Sequence, residues 1–81
     1  MILEPTVVRH LAASIIYRAV LDLIYKDERS PYWHSARSFF ASSWFEDLAD
    51  YLGYDIESVR KAIDQICANR EYYRNLLRSL S

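Results

Sequence analysis

The chain has 81 residues, enough for one small domain that buries only about 60–65% of its unfolded surface. Hydrophobic residues make up 52% and charged residues 26%, with one Gly and two Pro, which excludes a disordered chain. A net charge of −1 argues against a bulk electrostatic nucleic-acid binder, and a single Cys excludes an internal disulfide while fitting a reducing cytosol.

No apolar run reaches the roughly 18 residues of a membrane span. No basic start followed by an apolar stretch and a small-residue cleavage site marks a secretory signal. One Gly and almost no Val/Ile/Thr alternation leave no room for hairpins. The expected fold class is all-α: a single domain over residues 1–81, a compact bundle of about four helices containing a helix-turn-helix-like unit.

The first helix is predicted from about Pro5 to Lys26. Pro5 suits the first helical position, where its missing N–H costs nothing. Apolar residues follow in pairs, Val7/Val8, Leu11/Ala12, Ile15/Ile16, Ala19/Val20 and Leu23/Ile24. A repeat of four drifts about 40° per step on an ideal helix. Such a wide stripe suits a central helix that touches several neighbours, or one shared between two subunits. Core packing is the simpler expectation for these positions.

Asp27 to Pro31 forms a loop. Ser30 caps a second helix, about 31–42, with Pro31 at its first position. Trp33, Ala36, Phe39 and Phe40 face inward. Ser43 and Glu46 form a capping box for a third helix, about 44–52, with Trp44, Phe45, Leu48 and Leu52 as its apolar residues. Gly53 ends that helix, because a left-handed residue is cheapest as Gly. Asp55 caps a fourth helix, with Glu57 in its positive first turn. Ile56, Val59, Ile63, Ile66, Tyr73, Leu77 and Leu80 carry its seam to about residue 79, interrupted by Arg70. A break near Ala68-Asn69 stays open.

Residues 45–64 fit a helix-turn-helix pattern. Ala49 is small where two helices cross, Gly53 makes the bend, and Val59 plugs the gap between them. Leu48, Leu52 and Ala62 complete the apolar contacts. The second helix offers Ile56, Glu57, Arg60 and Lys61 to a DNA groove, beside Asp55 and Asp64. Charge opposes that use. Residues 1–30 sum to 0, residues 31–58 to −4 and residues 59–81 to +3. The helix that would cross the phosphates is therefore acidic, and phosphate contacts supply most of the affinity.

Arg70, Arg74 and Arg78 follow at i, i+4 and i+8 and share one face, with Tyr72 and Tyr73 beside them. They are the candidate protein-binding residues, since Arg pairs bidentately with carboxylates and Tyr supplies rigid area. The simpler alternative is a solvated face. Being near the chain end, the stripe is expected to tolerate substitution without loss of fold. Seven tyrosines cannot all be buried in so small a domain, so several must reach the surface.

No catalytic residue is assigned. His10 and His34 lie on separate helices without motif partners, and Cys67 reads as a small core residue. Asp47 and Asp50 share a face without a nearby His, so no metal site is expected. No Gly-rich phosphate loop exists and no cofactor is implied.

The segments Ala19-Val20-Leu21-Asp22, Ala36-Arg37, Phe39-Phe40, Phe45-Glu46, Leu52-Gly53, Asp55 and Val59-Arg60 carry a resemblance. From Ala13 to Ile63 the chain resembles small, mostly uncharacterised phage and prophage helical proteins with a helix-turn-helix-like core. It departs from them at Ala49 and Ile56, where such proteins often carry Cys and Pro. The resemblance implies a virus-encoded protein working in the host cytosol, and nothing about catalysis.

Two functional expectations result. One is a non-enzymatic protein that binds a larger host or phage protein as a regulator or inhibitor, an anti-defence role included. The other is a DNA-binding transcriptional regulator. The regional charge split favours the first and the 20-residue pattern the second. No membrane partner is expected. A homodimer is a further expectation, because helix one and the seam of helix four offer more apolar surface than one small core needs.

Overall fold

Pro5 starts the first helix of the computed structural model, which describes residues 4–80. All secondary structure among the described residues is helical: α1 Pro5–Tyr25, α2 Pro31–Phe40, α3 Ser43–Leu52, α4 Ile56–Ala68 and α5 Arg70–Leu80. Local chemistry accounts for most of the boundaries. Ser30 accepts from the Tyr32 amide, with Pro31 at the first position of α2. Gly53 ends α3 in the left-handed region at φ 78°, and Tyr54 N donates to Ala49 O at 2.8 Å. Asp55 caps α4 by accepting from Ser58 N at 3.0 Å.

One boundary differs from expectation, and the break left open near Ala68-Asn69 falls at Asn69. The cap of α3 is Ser42, not Ser43. Its hydroxyl oxygen accepts from Phe45 N at 3.2 Å and donates to Phe39 O at 2.6 Å. One side chain thus closes α2 and opens α3, and Glu46 lies one residue too late for a capping box with it. The long fourth helix is two helices, so the described residues hold five rather than about four. Asn69 makes the break: its amide donates to Gln65 O and Ile66 O, and its side-chain Nδ2 to Gln65 O at 3.1 Å. A side chain competing for backbone carbonyls in this way favours a helix end.

α1 is the central element and touches each of the other four helices. The core gathers Ala12, Ile16 and Leu23 of α1, Ala36 and Phe40 of α2, Phe45, Ala49 and Leu52 of α3, and Ile63 of α4. Phe45 and Leu23 are fully buried. Phe39, Phe40 and Phe45 meet edge to face at 5.1–5.7 Å, the geometry aromatic quadrupoles prefer. Ile56, Val59, Ile66 and Cys67 pack at the margin of this core.

Some expected core positions face water. In the first three apolar pairs of α1 the second member turns inward and the first outward. Val7, Leu11 and Ile15 are 42%, 52% and 36% exposed. The other helices cover one side of α1, and the drifting stripe carries these three off it. Trp44 is 56% exposed, with one ring edge against Phe39 at 5.3 Å. Ala62 lies on the exposed side of α4. No residue of α5 is buried.

Candidate functional site

The basic side chains decide what surface remains. A helix C-terminus leaves carbonyls unpaired and carries partial negative charge. Arginines from distant helices occupy three such ends. At the end of α1, Arg70 Nε donates to Leu23 O at 2.7 Å, and Arg70 Nη2 donates to Ile24 O at 3.4 Å and also to Lys26 O. Arg74 Nε donates to Ile24 O at 2.7 Å, and Trp33 Nε1 to Leu23 O at 3.3 Å. At the end of α2, Arg60 Nε donates to Phe40 O at 2.9 Å. At the end of α3, Arg9 reaches Tyr51 O and Leu52 O at 3.5 and 3.3 Å.

The predicted C-terminal stripe is therefore divided. Arg70, its side chain only 12% exposed, also pairs with Glu28 at 3.4 Å. Arg70 and Arg74 turn toward α1, and Tyr73 is half-buried. Arg78 and Tyr72 remain exposed, with the Tyr72 ring edge-on to Tyr73 at 5.2 Å. Cap geometry is invisible in a sequence. The one available signal was Arg70 interrupting an apolar seam, which marks a cation pointed at the protein.

The residues offered to DNA are divided in the same way. Ile56 packs against the core. Arg60 is held between Phe40 O and Glu46 Oε2, 2.9 Å from each, with its guanidinium 5.6 Å from the Phe45 ring centre. Glu57 and Lys61 are exposed. Asp64 pairs with Arg37 at 3.0 Å. The cleft between α2 and α4, about 350 Å³, is rimmed by Arg37 and Arg60, and both already hold carboxylates.

The candidate catalytic groups stay apart. His34 is exposed and edge-on to Trp33, while His10 lines a cleft near the α3–α4 turn. Cys67 is half-buried, with Arg37 Nη1 at 3.7 Å from its Sγ. Burial pushes this thiol up from its ordinary pKa, and nearby Arg37 offsets part of that. Among the described residues no three His, Cys, Asp or Glu side chains gather as a metal would need. No helix among them is long and apolar enough to cross a membrane.

What does present itself is the outer face of α3. Trp44, Asp47 and Tyr51 are exposed and fall within about 60° of arc on an ideal helix, over about 10 Å. Asp50 is exposed beside them, and Tyr54 follows in the turn. Arg9 lies over the Tyr51 ring at 6.0 Å. The same Arg9 lines a cleft of about 470 Å³ with Tyr17, Ser14, Leu52 and Tyr54. An aromatic and acidic helix face thus runs into a groove. Trp44 is one of the apolar residues expected of this helix, yet it sits about 100° from Phe45 on the helix and is 56% exposed.

No protein-family model, curated protein or solved structure matches the chain.

Proposed function

We propose that this protein is a non-enzymatic binding factor whose contact surface is the outer face of α3. The observation that carries the proposal is Trp44, 56% exposed yet braced edge-on by Phe39. Exposed Trp and Tyr are the residue types that dominate binding hot spots, and a braced ring loses little entropy on binding. Asp47 and Asp50 give the face a negative rim. The favoured partner is a protein with a basic patch around an apolar pocket. In this proposal the partner is a host or phage protein of the host cytosol, and the chain acts on it as regulator or inhibitor.

The helix-turn-helix-like unit enters this proposal as scaffold. Its support is local: Ala49 has no exposed surface, Gly53 is left-handed, and Val59 packs against the core. DNA binding is the second reading, favoured by that spacing. It is disfavoured by the engagement of Arg60 and by an exposed rim of Asp47, Asp50 and Glu57.

The experiment is affinity capture from nuclease-treated bacterial lysate, wild type against Trp44→Ala and Asp47→Lys. A protein captured by the wild type and lost by both variants supports the proposal. Equal capture by all three rejects the α3 face. A gel shift across salt concentrations tests the alternative, because binding through several phosphates weakens steeply as salt rises.

A further inference from the structure

The outward seam of α1 has an internal symmetry. Glu4, Val7, Leu11, Ile15 and Arg18 are spaced 3, 4, 4 and 3 residues apart, and all five are exposed. On an ideal helix Val7, Leu11, Ile15 and Arg18 lie within about 80° of arc and span about 17 Å, with Glu4 at the N-cap just ahead of them. The order reads acid, apolar, apolar, apolar, base, centred on Leu11.

We infer that this seam is a homodimer interface in which α1 packs antiparallel against α1 of a second copy, with the twofold axis at Leu11. In that register Leu11 meets Leu11 of the other copy, Val7 meets Ile15, and Glu4 meets Arg18. Each of the last two pairs occurs twice, as an isologous contact requires. Both ends of the strip then carry an ion pair around an apolar centre. A parallel pairing would set Glu4 against Glu4 and Arg18 against Arg18, so charge selects the antiparallel register. The inference is independent of the α3 surface.

Area sets the expected strength. The three apolar side chains expose on the order of 200 Å² per chain, and the flanking stems bring the strip to the low end of interface sizes, under about 1,200 Å² in total. A weak dimer follows, with a dissociation constant on the order of 100 μM.

Sedimentation equilibrium from about 10 μM to about 1 mM should show the mass rising from monomer toward dimer. Leu11→Glu puts two carboxylates on the axis and should weaken association at least about tenfold. Leu11 lies outside the core, so circular dichroism and melting should hold. Glu4→Arg and Arg18→Glu should each weaken the dimer about threefold, and the double swap should restore it. A monomer up to the highest concentration overturns the inference, and so does a dimer indifferent to Leu11→Glu. A double swap weaker than both single variants overturns the register.

Discussion

Arg60 in α4 donates through Nε to the carbonyl of Phe40, the last residue of α2, at 2.9 Å. Its Nη2 holds Glu46 of α3 at the same distance. One guanidinium thereby joins three helices across the edge of the core. Arg60→Ala should cost about 2 kcal/mol, the range for hydrogen bonds made by a charged donor. Lys should recover less than half of this, because a single ammonium cannot keep both fork directions. Urea unfolding measures both. An unchanged midpoint for Arg60→Ala would show that the bond carries no stability.

Arg70 makes a sharper contrast with Arg78, eight residues on along the same predicted stripe. Arg70→Ala leaves the Leu23 carbonyl without its shortest donor and the Ile24 carbonyl with Arg74 alone, and should lower the melting temperature by about 10 °C. Arg78 is exposed, and Arg78→Ala should stay within about 0.5 kcal/mol of wild type. A triple Arg70/Arg74/Arg78→Glu variant should lose fold along with function. Circular dichroism melts of the two single variants decide this, and equal melting temperatures would refute it.

Gly53 is tested by size alone. A Cβ built there meets nothing within 4 Å, so Gly53→Ala pays only for its left-handed backbone, φ 78°. That cost is about 1 kcal/mol, and Asn, which tolerates the region better, should cost less. A chemical denaturation series over Gly, Asn and Ala should rank in that order. A loss of several kcal/mol for Ala would mean that the turn is packed against something.

Cys67 gives a pH signature. Its pKa is raised from 9.0 in the folded protein, chiefly by burial. The folded state then holds the thiol proton more tightly than the unfolded state. The resulting stability is fully present below pH 9.0 and is lost as pH rises through the folded value. Cys67→Ala should remove that part of the alkaline decline. Alkylation of native Cys67 at pH 8 should be slower than in urea. Equal rates would place the thiol in open water.

Asp55 has the opposite sign. Hydrogen bonds from the Ser58 side chain, then from its backbone amide, hold its pKa below 3.8. Its contribution is present above pH 3.8 and is lost as pH falls through the folded value. Asp55→Asn keeps a capping oxygen but cannot ionise, so it should flatten the acid limb and lower neutral-pH stability only by the charge-dependent part of the cap. An acid limb identical to wild type would show that Asp55 does not contribute.

Helix starts and the α3 stop were legible in the sequence because capping is local. Pro5, Ser30-Pro31, Gly53 and Asp55 act on amides and carbonyls within about four residues, so their meaning is written beside them. The one misplaced cap, Ser42, lay one residue from Ser43, and the break at Asn69 falls at the Ala68-Asn69 position that the sequence left open. What each side chain faces was not local. Trp44 and Leu11 are as apolar as Phe45 and Ile16, and only the arrangement of the other helices leaves the first two in water. The arginines were least legible of all. Arg9, Arg60 and Arg70 find acceptors 42, 20 and 47 residues away, at helix ends whose carbonyls their own helices cannot satisfy. A guanidinium can donate to any such partner, and packing alone decides which carbonyl comes within hydrogen-bond reach. The sequence therefore determined where the helices begin and end. The tertiary structure decided which charges the fold consumes and which side chains, those of the outer face of α3 among them, stay exposed.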